Sequence, residues 1–133
     1  MNTTFERTKI CEQIISDGCY MLDREKTYCE DYPDEFVSEE VFQIACDAVR
    51  HLAMNGFTNV SMYHSGNSVG IGGKNICIEV SKNSIAGFCK LKNYKPIPQS
   101  SNVIKFIVDW DDNGFEAMET FRKIVVGLSF HFN

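Results

Sequence analysis

Two runs in this chain look like ligand loops, and six cysteines and three histidines supply side chains suited to nucleophilic or metal chemistry. The first run is Gly66-Asn67-Ser68-Val69-Gly70-Ile71-Gly72-Gly73-Lys74-Asn75. A phosphate loop of the Walker A type needs Gly, four residues, Gly, Lys and then a hydroxyl for magnesium. Here Ser68 stands at the first glycine position and Asn75 at the hydroxyl position. The dinucleotide pattern fails as well, because Asn75 falls where the third glycine belongs. Neither motif opens a helix, and two tight turns account for these glycines better.

The second run, Asp109-Trp110-Asp111-Asp112-Asn113-Gly114, matches the opening of a calcium loop. Its twelfth position is Thr120, which cannot supply the bidentate carboxylate, and its eighth is Glu116, where an apolar residue is usual. A strand-to-helix turn with an acidic cap is the simpler reading. Zinc would want closely spaced Cys and His pairs, and no C-x-x-C or H-x-x-x-H occurs. Cys77, Cys89, His51, His64 and His131 are fragments of a nucleophilic site with no local motif joining them. The sequence therefore predicts no catalytic residues, no metal and no cofactor.

The elements that would position such groups follow from periodicity. Residues 4–17 carry a helical stripe of Ile10, Cys11, Ile14 and Ile15, capped by Thr3 or Thr4, with Gly18 expected to stop it. Residues 19–37 read as a long acidic loop with room for a short turn of helix. Ser38 then caps a strong helix with Glu39 and Glu40 in its first turn, and Asn55-Gly56 ends it. Beyond it the period changes from 3.6 to 2. Turns at 66–67, 73–74 and 82–83 put Val60, Met62, His64, Val69, Ile71, Ile76, Ile78, Val80, Ile85 and Cys89 on one side. An odd slip would split that set between faces. This predicts a four-stranded antiparallel meander over 59–92.

A loop with two prolines spans 93–102, and 103–110 is a fifth strand with Ile104, Phe106, Val108 and Trp110 on one face. It can join beside strand four or pair with strand one. A final helix carries Phe115, Met118, Phe121, Ile124, Val125 and Leu128. The expected fold is a single α+β domain over 1–133, in the order α-α-β-β-β-β-β-α, with helices packed on one face of an antiparallel sheet.

Composition bounds the function. The 133 residues are 44% hydrophobic and 23% charged, which is ordinary globular content. No run approaches the ~20 apolar residues of a membrane span, and the N-terminus lacks a basic lead-in with an apolar stretch. A cytoplasmic location with reduced thiols is expected. The net charge of −5 is uneven: residues 1–73 hold five basic against twelve acidic groups, and 74–105 hold six Lys against one Glu.

Two surfaces follow. The acidic stretch from Asp23 to Glu40 interleaves aromatics, and Tyr28, Asp31, Tyr32, Asp34, Glu35 and Phe36 are its candidate contacts for a basic protein partner. The far face of the sheet should carry Ser61, Ser68, Cys77 and Glu79 with Tyr63, Phe88, Lys90, Lys92 and Lys105. Those last five are candidates for stacking bases and neutralising phosphates of a nucleic acid or nucleotide. The leading expectation is a small acidic, non-catalytic protein-binding module. Its size and acidity resemble in type the small inhibitors, immunity proteins and phage counter-defence proteins. Nucleic-acid binding is the alternative, and an enzyme of unrecognised type comes third. An exposed sheet edge also leaves a homodimer open.

Overall fold

The structure, a computed structural model, describes residues 3–28, 37–90, 103–110 and 114–130. Two helices come first, α1 (Thr4–Tyr28) and α2 (Glu39–Met54). Five strands follow: β1 (Val60–Ser65), β2 (Ser68–Gly73), β3 (Ile76–Val80), β4 (Ser84–Lys90) and β5 (Val103–Asp109). Helix α3 (Gly114–Ser129) closes the order. All neighbouring strands are antiparallel, in the spatial order β1-β2-β3-β4-β5. The fifth strand thus extends the meander beside β4 rather than pairing with β1.

Local chemistry explains the helix ends. Thr3 Oγ1 accepts from Glu6 N at 3.1 Å while the Glu6 carboxylate accepts from Thr3 N at 3.4 Å, a reciprocal cap. Ser38 Oγ accepts from Val41 N at 3.2 Å at the head of α2. At its foot Asn55 N donates to Leu52 O, and Gly56 takes a φ of 95° that glycine tolerates.

Gly18 does not stop α1. The helix runs on to Tyr28, so residues 19–28 are helical rather than loop. Gly18 is where α1 crosses β1: a Cβ there would lie 2.7 Å from Met62 Sδ. The missing side chain lets helix and sheet approach, and half-buried Leu22 carries the stripe one turn further.

Register at the first and third turns is as the alternation requires, with His64 opposite Val69, Met62 opposite Ile71, and Val80 opposite Ile85. The middle turn differs. Ile71 pairs with Ile78 and Gly72 with Cys77, so the loop residues are Lys74 and Asn75, not Gly73 and Lys74. Gly73 is the last residue of β2, paired with Val60, and a Cβ on it would run into Asn59 O of the neighbouring chain segment. The offset is two residues, an even step, so every inward side chain keeps its face.

The core lies between the inner sheet face and the helices. Val49 and Leu52 of α2, Ile71, Ile78 and Ile85 of the sheet, and Phe121 and Val125 of α3 are fully buried. Each such side chain contributes about 1.5–3 kcal/mol by leaving water. Phe106 of β5 meets Phe121 with ring centroids 6.0 Å apart. Trp110 ties the end of β5 to the β3–β4 turn. Its indole N–H donates to Ser81 O at 2.9 Å and its backbone N–H to Asn83 O at 2.9 Å. Among the described residues no helix is long and apolar enough to cross a membrane.

Candidate functional site

The core helices pack on the inner face, and among the described residues no helix covers the outer sheet face. The strand register lays out two rows there. One reads Ser61, Gly72, Cys77, Phe88, Lys105, and the other Tyr63, Gly70, Glu79, Ala86, Ile107. Tyr63 and Phe88 are each 41% exposed and Ile107 is 65% exposed. A shallow depression of about 340 Å³ beside Phe88 is lined by Cys77, Glu79, Ala86, Phe88 and Lys105 among others. Ser68 belongs to this side by register but is buried.

Tyr63 is held in place. Its ring lies across Gly70 and Gly72, where any Cβ on Gly70 would overlap it. The small residues of β2 thus form a seat for the aromatic of β1, a cross-strand pair that stabilises the sheet. The phenol oxygen reaches across β2 to Cys77 Sγ of β3 at 3.4 Å. That hydrogen bond, then partial burial and the charges of Cys77 and Glu79, push the phenol up to about 12. Tyr63 is therefore a neutral ring at ordinary pH, suited to contact and not to proton transfer.

The sequence-predicted residues divide. Tyr63, Phe88 and Lys105 come together on the outer face, with Phe88 directly opposite Lys105. Lys90 is the last residue of β4, opposite Val103, two positions along the strand from Phe88. Lys92 lies outside the described residues. Tyr28 is the last residue of α1, and Asp31, Tyr32, Asp34, Glu35 and Phe36 lie outside the described residues. Asp111, Asp112 and Asn113 of the calcium-like run do too. Ile107 was not singled out from the sequence, although its place between inward Phe106 and Val108 was the available signal.

Chemistry elsewhere is muted. Cys11, Cys19, Cys46, Cys77 and Cys89 are free thiols. Burial pushes Cys46 and Cys89 up to about 11 and raises Cys11 too, the reverse of what an attacking thiolate needs. Burial also lowers His51. Among the described residues no group of three or more His, Cys, Asp or Glu is placed to hold a metal ion. A hollow of about 530 Å³ runs along the α1–α2 seam by Cys11, Ile15, Arg50 and Met54, without the aromatic anchors of the sheet face.

No protein-family model matches this chain, and no curated protein or solved structure matches it either.

Proposed function

We propose that this protein is a non-catalytic protein-binding module, an inhibitor or masking partner, that grips with the open face of its sheet. The supporting observation is the joint exposure of Tyr63, Phe88 and Ile107 on the outer face of the sheet. Scattered apolar residues at a surface are ordinary, but several sharing one face of a sheet suit a contact surface. Aromatic anchors flanked by single charges, here Lys105 and Glu79, fit the centre of a protein interface. The acidic stretch with Asp31, Asp34 and Glu35 would steer a basic partner toward it without forming the grip. Free thiols suit the reducing conditions of a cytoplasm.

The test uses the whole chain as bait at low and physiological salt, beside a Phe88→Asp variant and a variant with Asp31, Asp34 and Glu35 reversed. A genuine partner is retained by the native chain and weakened more than about tenfold by Phe88→Asp. The acidic reversal slows association and flattens its salt dependence while leaving dissociation alone. A partner that ignores Phe88→Asp would move the binding surface off the sheet.

A second reading rests on one juxtaposition, Phe88 across from Lys105 with Lys90 further along β4. A single-stranded nucleic acid would stack a base on the ring and set phosphates against the lysines. A labelled oligonucleotide retarded at low salt by the native chain, and released by Lys105→Glu, would favour this over a protein partner. Absence of any retardation removes it.

A further inference from the structure

Among the described residues strand β5 is a terminal strand of the sheet, and its outward side chains Lys105, Ile107 and Asp109 are all exposed. The backbone direction of this edge is fixed by one hydrogen bond. Trp110 N donates to Asn83 O, so the even-numbered residues of β5 turn their N–H and C=O groups toward β4. In an antiparallel ladder these groups alternate sides, so those of Lys105, Ile107 and Asp109 point to the free edge. A free edge of this kind is a template for another strand.

We propose that the partner for this edge is a second copy of the same chain, paired antiparallel about a two-fold axis at Ile107. The charges select that arrangement. Lys105 and Asp109 stand two residues on either side of Ile107. Centred there, each Lys105 faces Asp109 of the other copy, twice over, and Ile107 meets its own counterpart. Centring on Lys105 or on Asp109 would set like charges against each other, which opposes pairing. Centring on Phe106 would leave Lys105 facing isoleucine. Within one protomer the cross-strand neighbours of Lys105 and Asp109 are uncharged, Phe88 and Ser84. Neither charge has an opposite charge directly across from it inside the protomer, so both are available to specify register outside it.

The same parity that aims the odd backbone groups at the edge makes 105–109 and 107–107 hydrogen-bonded pairs, each exchanging two bonds. The axis runs perpendicular to the sheet, so both outer faces lie on one side. The two aromatic faces then form one continuous surface with the Ile107 pair at its middle. Association of this kind is isologous and closes at two copies.

Sedimentation velocity over about 1 μM to 500 μM reads the outcome as a dissociation constant. The native chain should reach a dimer. Lys105→Asp should weaken it about tenfold or more, and Lys105→Asp combined with Asp109→Lys should restore it. Ile107→Pro removes an N–H that points away from β4, so it should give a folded monomer. A native chain that stays monomeric throughout overturns the proposal. So does a dimer indifferent to Lys105→Asp and Ile107→Pro, because it must use another surface. Neither result bears on whether Phe88→Asp releases a partner, so this proposal and the binding function fail separately.

Discussion

The two faces of this sheet are made by the same strands, one residue out of step, and they have opposite fates. On the inner side Val69, Ile71, Ile76, Ile78, Val80, Ile85 and Cys89 are at most 3% exposed. On the outer side Tyr63, Phe88 and Ile107 are between 41% and 65% exposed. Strand propensity does not separate them, since aromatic and β-branched residues suit strands on either face. What separates them is parity, set by the turns, and the position of the helices, set by their own apolar stripes. A face that is merely solvated would be expected to carry polar side chains; this one keeps apolar rings.

The largest effect should come from putting the same charge on each face. Ile78→Asp places an unpaired carboxylate at a fully buried site and should abolish folding, as read by circular dichroism and amide dispersion in NMR. Ile107→Asp on the outer face should change the stability of the monomer by no more than about 0.5 kcal/mol, read by urea denaturation at a concentration too low for two copies to associate. If the outer substitution cost as much as the inner, the outer face would be part of the core and its role as a binding surface would be lost.

Much of this contrast was legible in the sequence. The alternation from Val60 to Cys89 fixed which residues face inward, and an even offset at the Lys74-Asn75 turn could not disturb it. Three features were not legible, each for a tertiary reason. Gly18 reads as a helix stop because propensity is local, whereas its role is to let α1 approach Met62 of a distant strand. Gly73 reads as a turn residue, yet the backbone of Asn59 excludes a side chain there. The seat of Tyr63 on Gly70 and Gly72 needs a known cross-strand register before the glycines can be seen as its floor. For the same reason Trp110 could be assigned to the inward row, but not to the β3–β4 turn that it pins. The outer aromatics were visible as a set, while their exposure depended on where the helices settled.

Glycines sharpen the comparison at intermediate size. Gly87 lies opposite Ile78 on the inner side, and a Cβ there would collide with the carbonyl of Cys77. Backbone cannot swing aside, so Gly87→Ala should cost about 2–3 kcal/mol. Gly70 lies opposite Tyr63 on the outer side, and there the obstacle is a ring that can rotate away. Gly70→Ala should cost only about 1 kcal/mol and should loosen Tyr63 from its seat. Urea midpoints of the two variants give the ratio directly. Equal losses would mean that Tyr63 is held as rigidly as backbone, and the outer face would be more tightly built than its exposure suggests.

The smallest effect isolates the bond between Tyr63 and Cys77. The phenol stands at about 12 in the folded chain against an ordinary value of 10, so the fold favours its protonated form. That preference is fully present below pH 10 and is lost as pH rises from 10 through about 12. Cys77→Ala removes the leading cause, and the titration of Tyr63 should fall back toward 10. Subtracting the phenolate absorbance of a Tyr63→Phe variant separates this ring from the other four tyrosines. At neutral pH the same substitution should change stability by less than about 1 kcal/mol, since the ring is well exposed and water can replace the thiol. A midpoint that stays near 12 without the thiol would shift the cause to burial. Tyr63 would then be more deeply set in the sheet than Phe88, leaving Phe88 and Ile107 as the anchors of the open face.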